Sequence, residues 1–187
     1  MLKFGKSAVT GATAAGKSAV CTLLAEMGAT VVSADQIAHQ LLNPTTEIGK
    51  RVIALLGPEV LEDKKINRDA VAAKVFHDQN LLNELEKILH PHILEEIDKA
   101  YQQSKSTFFV AEVPLLFECG WEKYFDTTIL VIADQEERQK RFMKKAFLER
   151  EARLLPEQVK KEKADYVIEN RGSLEELKKQ VQNLITN

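Results

Sequence analysis

The feature that most restricts the fold of this chain is a run from Gly11 to Ser18, in which glycines, lysine and serine have the spacing Gly-x-x-x-x-Gly-Lys-Ser. Apolar residues at 2–10 predict a strand before this run, and helical spacing over 16–27 predicts a helix after it. In such a turn the glycines let several backbone N–H groups point at one anion, and the start of the helix adds a positive end. We therefore predict a phosphate-binding loop between the first strand and the first helix.

The residue types in this loop suit the binding of ATP together with Mg²⁺. Lys17 is expected to reach the β- and γ-phosphates, and the hydroxyl of Ser18 is placed to bind Mg²⁺. The alternative is an ordinary turn with an incidental lysine and serine, but the flanking strand and helix favour a nucleotide site. The residues predicted to surround the nucleotide here are Gly11, Ala12, Thr13, Ala14, Ala15, Gly16, Lys17, Ser18 and Ala19.

Short apolar runs alternate with helical patterns along the rest of the chain. The predicted strands are 2–10, 29–32, 108–111, 128–133 and 166–168. Strands separated by helices are typical of βαβ units and of a parallel sheet. The pattern therefore predicts an α/β fold of three layers around a parallel five-stranded sheet.

A single domain of 187 residues accounts for this pattern. Its predicted parts are a core at 1–44, 104–137 and 164–187, a helical insertion at 45–103 and a lid at 138–163. The insertion has no predicted strand; its helices are expected at 68–76 and 81–101, with breaks at 77–80 and at Pro91. It is either a substrate-binding subdomain or a set of extra helices that cover the sheet.

Charge and composition exclude several classes of function. Lysine and arginine total 26 against 28 acidic residues, a formal net charge of -2, so nonspecific nucleic-acid binding is not expected. No apolar run approaches the roughly 18 residues of a membrane span, and no signal peptide is evident. The two cysteines have no metal-binding spacing. We expect a cytoplasmic protein that acts as a monomer, with an oligomer left open.

Two carboxylates follow predicted strands at the edge where a parallel sheet binds its ligands. Asp35 comes after the second strand and Glu112 ends the third, so both would face the loop if those strands lie beside the first. Asp35 could instead cap the following helix, and Glu112 could be an exposed charge. Glu118 is a weaker third candidate for supporting the metal.

A basic stretch follows the fourth predicted strand. Arg138, Arg141 and Lys145 share one helical face, and Arg150 continues the charge. Because glutamates are interleaved, the stretch could be only a solvated helix face. Beside a phosphate-binding loop, a lid that balances the charge of a transferred phosphate is favoured.

The order of several short sequences along nearly the whole chain resembles the dephospho-coenzyme A kinase family. The loop alone marks a very large superfamily, so the joint order of the matching stretches makes the resemblance specific. They are Thr10–Ser18, Gly28-Ala29, Ser33–Ala38, Gly57–Glu59, Asn67-Arg68, Val75-Phe76, Ile88–Pro91, Val113–Glu118, Ala164–Asn170 and Gly172-Ser173.

The resemblance implies a P-loop fold of nucleoside-monophosphate-kinase type and transfer of the ATP γ-phosphate to the ribose 3′-hydroxyl of dephospho-CoA, the last step of coenzyme A synthesis. In that reaction Asp35 orients or deprotonates the hydroxyl, Arg141 contacts phosphate, and Asn170 lies near the adenine. The residues that the resemblance assigns to the acceptor are Asp35, Arg68, His90, Pro114 and Leu115.

Some positions depart from the family's pattern. Ala12 and Ala14 replace usual glycines, Arg138 stands at a usual glutamine and Lys145 at a usual arginine, and the lid is short. These differences leave two alternatives open: a P-loop kinase for another small molecule or nucleotide, or a nucleotide-binding module with weakened catalysis.

Overall fold

The computed structural model describes residues 5–76, 78–140, 151 and 153–186. In these ranges the strands are β1 (Lys6–Gly11), β2 (Thr30–Ser33), β3 (Leu61–Glu62), β4 (Lys65–Ile66), β5 (Phe109–Glu112), β6 (Thr127–Ile132) and β7 (Tyr166–Glu169). The helices are α1 (Lys17–Glu26), α2 (Ala34–Leu41), α3 (Glu47–Leu56), α4 (Arg68–Phe76), α5 (Gln79–Gln103), α6 (Gln135–Lys140), α7 (Glu157–Lys163) and α8 (Leu174–Thr186).

The chain packs as two compact units. The sheet unit comprises Met1–Ser33 and Gln103–Asn187, and the helical unit comprises Ala34–Gln102. The helical unit thus begins eleven residues before the insertion predicted from residue 45, because α2 belongs to it rather than to the sheet unit.

The sheet unit contains the predicted five-stranded parallel sheet, in the order β2-β5-β1-β6-β7. The sequence prediction is confirmed here, since each of the five apolar runs overlaps an observed strand. β1 lies at the centre, where Val9 pairs with Glu112 of β5 on one side and with Ile129 of β6 on the other. The carboxyl ends of β1 and β5 therefore meet at one edge of the sheet.

Helices α1 and α8 bury one apolar face of this sheet. Their inward residues Val20, Leu24 and Val181 pack in a cluster with Val9 and Val131 of the sheet. Each of these side chains is at most 2% exposed. The start of α1 is thus held against the central strand.

The helical unit contains an antiparallel hairpin that the sequence did not predict. Leu61 of β3 pairs with Ile66 of β4. Asp63 and Lys64 make the turn with φ of 48° and 62°, the combination that a two-residue hairpin of type I′ requires. The prediction of no strand in 45–103 is wrong because strands of two residues show no alternating pattern, and this turn lacks the usual glycine.

Helix α5 continues through Pro91, where a break was predicted. Leu85, Leu89, Ile93 and Ile97 form one buried stripe that spans the proline. Burial on both sides of Pro91 outweighs the loss of one helical hydrogen bond.

The predicted lid at 138–163 is not one continuous helix. Residues 153–156 between α6 and α7 are not helical, and Pro156 precedes the first residue of α7. A proline cannot continue a helix from the preceding residues but suits the start of the next. Among the described residues, no helix has the length and apolarity needed to cross a bilayer.

Candidate active site

The loop between β1 and α1 turns at two glycines whose conformation excludes a side chain. Gly11 has a φ of 148° and Gly16 a φ of 100°. A Cβ at Gly11 would overlap the backbone carbonyl oxygen of Val131 on β6, and a Cβ at Gly16 would overlap the side-chain amide of Asn170. The chain therefore turns tightly from the central strand into α1.

Side chains hold the carbonyl groups of this loop. Lys17 donates through Nζ to the carbonyl oxygens of Gly11 and Ala12, each at 3.0 Å. Asn170 donates through Nδ2 to the carbonyl oxygen of Ala15 at 2.9 Å. Because the C=O and N–H of a trans peptide point in opposite directions, fixing a carbonyl also fixes the direction of the next N–H. The loop thus has the ordered N–H groups that an anion site needs.

Ala14 adopts a conformation that favours glycine. Its φ is 60°, in the left-handed region, which costs an alanine roughly 1–2 kcal/mol. The turn around it is closed by a hydrogen bond of 3.2 Å from the N–H of Ala15 to the carbonyl oxygen of Ala12. The alanine at this position therefore strains the loop.

Ser18 and Glu112 form an oxygen pair beside the loop. The hydroxyl of Ser18, in the first turn of α1, donates to Oε1 of Glu112 at 3.1 Å. Glu112 is the last residue of β5, the strand next to β1. Of the three carboxylates predicted near the loop, Asp35, Glu112 and Glu118, it is Glu112 that accepts this hydrogen bond from the loop.

This oxygen pair fits the type of magnesium site used in phosphoryl transfer. Mg²⁺ usually takes one or two protein oxygens, with phosphate and water oxygens completing its shell. Over the described part of the chain, no group of three or more His, Cys, Asp or Glu side chains could hold a metal by itself. A site built from Ser18, Glu112 and the phosphates of a nucleotide suits these residues.

Arg138, Glu151 and Lys160, which belong to two ion pairs, line a cavity of about 410 Å³ in the sheet unit. Arg138 Nη1 lies 2.8 Å from Glu151 Oε2, and Lys160 Nζ lies 3.5 Å from Glu118 Oε1. Ala12 of the loop also lines this cavity. Neither pair was predicted from the sequence, since the partners are distant in the chain and no local spacing links them.

Glu118, a candidate for supporting the metal, instead contacts Lys160 and the backbone of Leu155. Besides Lys160, it accepts a hydrogen bond at 3.0 Å from the backbone N–H of Leu155. The side chain of Lys160 is 3% exposed and that of Glu118 is 9% exposed. Glu118 therefore anchors the segment before α7 to the loop that follows β5.

Pro114 and Leu115, both predicted to contact the acceptor, lie in the turn after β5. The carbonyl oxygen of Pro114 accepts a hydrogen bond at 3.2 Å from the hydroxyl of the fully buried Thr10. The carbonyl oxygen of Leu115 accepts one at 3.0 Å from the N–H of Cys119. Both residues are partly exposed, so their side chains can meet a ligand.

Asp35 and Arg68 come together in the helical unit. Both line a cavity of about 330 Å³, together with Gln36, His39 and Gln40. Asp35 lies in the first turn of α2, and Arg68 begins α4. The cavity combines one acidic and one basic side chain, a set that can bind a hydroxyl and an anionic group.

The remaining predicted residues lie elsewhere. His90 is in α5 and is not among the residues that line the cavity of Asp35. Arg141, Lys145 and Arg150 fall outside the described residues. Ala19 lies in the first turns of α1 and packs against the apolar core.

The thiol of Cys21 lies close enough to this site to sense its charges. Its pKa is raised to about 12, mainly by burial and also by the carboxylate of Glu112, while the ammonium of Lys17 acts to lower it. The thiol is therefore protonated at neutral pH and serves as part of the core.

A loop of this kind, placed after the central strand of a parallel sheet with an acid supplied by the neighbouring strand, is the nucleotide site of P-loop kinases. The model of the family described as dephospho-CoA kinase matches residues 7–176 of the chain. The chain belongs to the dephospho-CoA kinase family. As a member it is a kinase that uses ATP and acts on dephospho-CoA in coenzyme A biosynthesis.

Curated relatives and solved structures resemble the chain over nearly its full length. A dephospho-CoA kinase of Chlamydia pneumoniae is 44% identical, covering 97% of this chain and 95% of that protein. The crystal structure of a Thermus thermophilus protein is similar with a TM-score of 0.83 and 32% identity, covering 97% of this chain and 96% of that one. A dephospho-CoA kinase from Campylobacter jejuni has the same fold, with a TM-score of 0.64, 24% identity, and coverage of 97% and 95%.

Proposed function

We propose that the loop of Gly11–Ser18 binds ATP with Mg²⁺ and that the helical unit binds dephospho-CoA, whose ribose 3′-hydroxyl receives the γ-phosphoryl group. The observation that carries the proposal is the hydrogen bond between Ser18 and Glu112 at the end of a loop whose carbonyls are held by Lys17. Hydroxyl, carboxylate and ammonium are the groups that phosphoryl transfer requires beside the nucleotide.

In the proposed reaction the oxygen of the 3′-hydroxyl forms a bond to the γ-phosphorus, and the bond from that phosphorus to the β-γ bridging oxygen breaks, leaving ADP. Lys17 balances the negative charge on the β- and γ-phosphates, and Arg141 adds a second cation. The hydroxyl proton passes to the carboxylate of Asp35 as the new bond forms. Asn170 borders the adenine while its side chain holds the loop.

The metal has a defined place in this proposal. Ser18 and Glu112 would hold Mg²⁺, with Glu112 acting on the ion either directly or through a bound water. When bound, the ion neutralises charge that develops on the phosphate oxygens.

Asp35 and Arg68, which line one cavity, are proposed to bind the acceptor dephospho-CoA. His90, Pro114 and Leu115 are proposed as further contacts. A carboxylate suits the ribose hydroxyl, and a guanidinium suits a phosphate of dephospho-CoA. The support for this part is that Asp35 and Arg68 line the same cavity.

The role of the oxygen pair can be tested by magnesium titration of turnover. We expect Ser18→Ala and Glu112→Gln each to raise the Mg²⁺ concentration needed for half-maximal rate by about tenfold or more. Glu136→Gln, on the surface of α6, is the control and should leave this concentration unchanged. An unchanged magnesium requirement in both test variants would remove this pair from the metal site.

The role of Asp35 is tested separately. Asp35→Asn should lower kcat by roughly 10²–10⁴, the usual contribution of a general base, while the Kd for ATP stays the same. A kcat equal to that of the parent chain would contradict the assignment.

We also propose that the enzyme is a cytoplasmic monomer that does not act on nucleic acid. Cys21 and Cys119 form no disulfide, which suits a reducing compartment, and a net charge of -2 does not favour a polyanion. Light scattering of the purified chain tests the oligomeric state.

A further inference from the structure

Arg138 contacts the phosphate-binding loop through its guanidinium. Its Nη1 donates to the carbonyl oxygen of Thr13 at 3.4 Å, and its Nε donates to the carbonyl oxygen of Ala133 at 3.3 Å. The residue is 7% exposed and pairs at 2.8 Å with the carboxylate of Glu151. A buried guanidinium with these three partners has a fixed orientation.

The peptide that Arg138 contacts is the one that precedes the strained residue. The carbonyl of Thr13 and the N–H of Ala14 belong to the same planar peptide, so holding the carbonyl sets the direction of that N–H. Ala14 has a φ of 60°, which alanine adopts only when its surroundings impose it. Without a restraint on this peptide, Ala14 would relax toward negative φ and turn its N–H away from the phosphates.

We propose that Arg138 is a positioning residue for the nucleotide, which holds the Thr13–Ala14 peptide in its strained conformation, and that Glu151 orients the guanidinium for this role. The effect on ATP is indirect, through the loop, and requires no contact between Arg138 and the substrate. This inference rests on the proposed binding of ATP by the loop.

The test is a double-mutant cycle between positions 138 and 14, read out as the Kd for ATP by calorimetry with Mg²⁺ present. Arg138→Met should weaken ATP binding about tenfold in the parent chain, the size expected for one lost charge-assisted hydrogen bond. In the Ala14→Gly background the same change should weaken binding less than about threefold, because glycine accepts a positive φ without strain. Equal effects in both backgrounds would overturn the proposal, since a general loss of packing does not depend on residue 14.

Loss of Arg138 alone leaves the partly buried Glu151 without its cation and can impair folding. The variant Arg138→Met/Glu151→Met removes both charges, a replacement that is often neutral for stability. We expect this variant to keep the parent's thermal unfolding and still bind ATP about tenfold more weakly. Parent-like ATP binding by the double variant would show that the pair serves only the fold, and would overturn the proposal.

Two controls separate this inference from the proposed function. Lys140→Gln removes a cation from the exposed surface of α6 and should not change the Kd for ATP. If the parent chain itself fails to bind ATP, the proposed function fails and this inference fails with it. If the parent binds ATP and Arg138→Met binds it equally well, only the role of Arg138 is refuted.

Discussion

At the scale of single residues, Ala14 offers a direct measure of strain in the loop. Its φ of 60° predicts that Ala14→Gly raises the free energy of unfolding by about 1 kcal/mol. Ala12→Gly is the matched control: Ala12 is not among the residues of positive φ, so glycine there should be neutral or destabilise by about 0.5–1 kcal/mol. Urea unfolding of the two variants gives the comparison. Equal destabilisation by both would contradict the strain at Ala14.

The thiol of Cys21 gives a second prediction at this scale. Since its pKa is raised to about 12, mainly by burial, the group keeps its proton well above neutral pH, and its thiolate forms only as the pH approaches that value. Iodoacetamide at pH 8 should therefore label Cys119 in the folded chain and leave Cys21, which is 4% exposed, unmodified. Mass spectrometry of tryptic peptides measures this, with the urea-unfolded chain as the control in which both cysteines react. Labelling of Cys21 in the folded chain at the unfolded rate would refute it.

The residues of the loop could be predicted from the sequence, whereas the contacts of Arg138 with Thr13 and Glu151 could not. Lys17 and Ser18 belong to a local motif whose spacing sets both the turn and the chemistry. Arg138 was assigned to a charged helix face, and its buried contacts with Thr13 and Glu151 depend on the tertiary packing of three separate segments. The pattern of amino acids along one helix does not predict contacts with residues of other segments.

At the scale of elements, Pro91 in the middle of α5 predicts a gain in stability on its removal. It is exposed, so its ring adds little to the core, and it leaves one carbonyl of the preceding turn without a helical partner. Pro91→Ala should raise the free energy of unfolding by about 1–2 kcal/mol.

Urea unfolding of Pro91→Ala tests this beside Gln102→Ala, an exposed change near the end of the same helix that should stay within about 0.5 kcal/mol of the parent. A loss of stability in Pro91→Ala would mean that the buried stripe of α5 needs the bend that proline imposes.

The strands of the sheet, which are continuously buried, were predicted correctly from the sequence. The elements whose form depends on tertiary contacts were not. The strands of the parallel sheet are buried on both faces and appear as apolar runs, so their order along the chain was predictable. The hairpin of β3 and β4 is too short to show a period, and the continuity of α5 depends on burial around Pro91. Neither outcome follows from local propensity alone.

At the scale of the whole molecule, the residues proposed to bind the nucleotide and those proposed to bind the acceptor lie largely in different units. The sheet unit contains the loop, the oxygen pair of Ser18 and Glu112, and Arg138. The helical unit contains Asp35 and Arg68 in one cavity. The family was predictable from the order of short sequences, because that order spans nearly all of the chain.

The measurement that tests the central claim most directly is release of ADP by the purified chain with ATP, Mg²⁺ and dephospho-CoA, run beside adenosine, AMP and shikimate as acceptors. We predict that, with ATP and Mg²⁺ present, ADP is released only when dephospho-CoA is the acceptor. We also expect Lys17→Ala to lower kcat/KM by roughly 10²–10³ because a cation on the transferred phosphate is lost. Lys50→Ala, an exposed change in the helical unit, should have no effect. ADP release that depends on another acceptor, or undiminished turnover in Lys17→Ala, would contradict the proposed function.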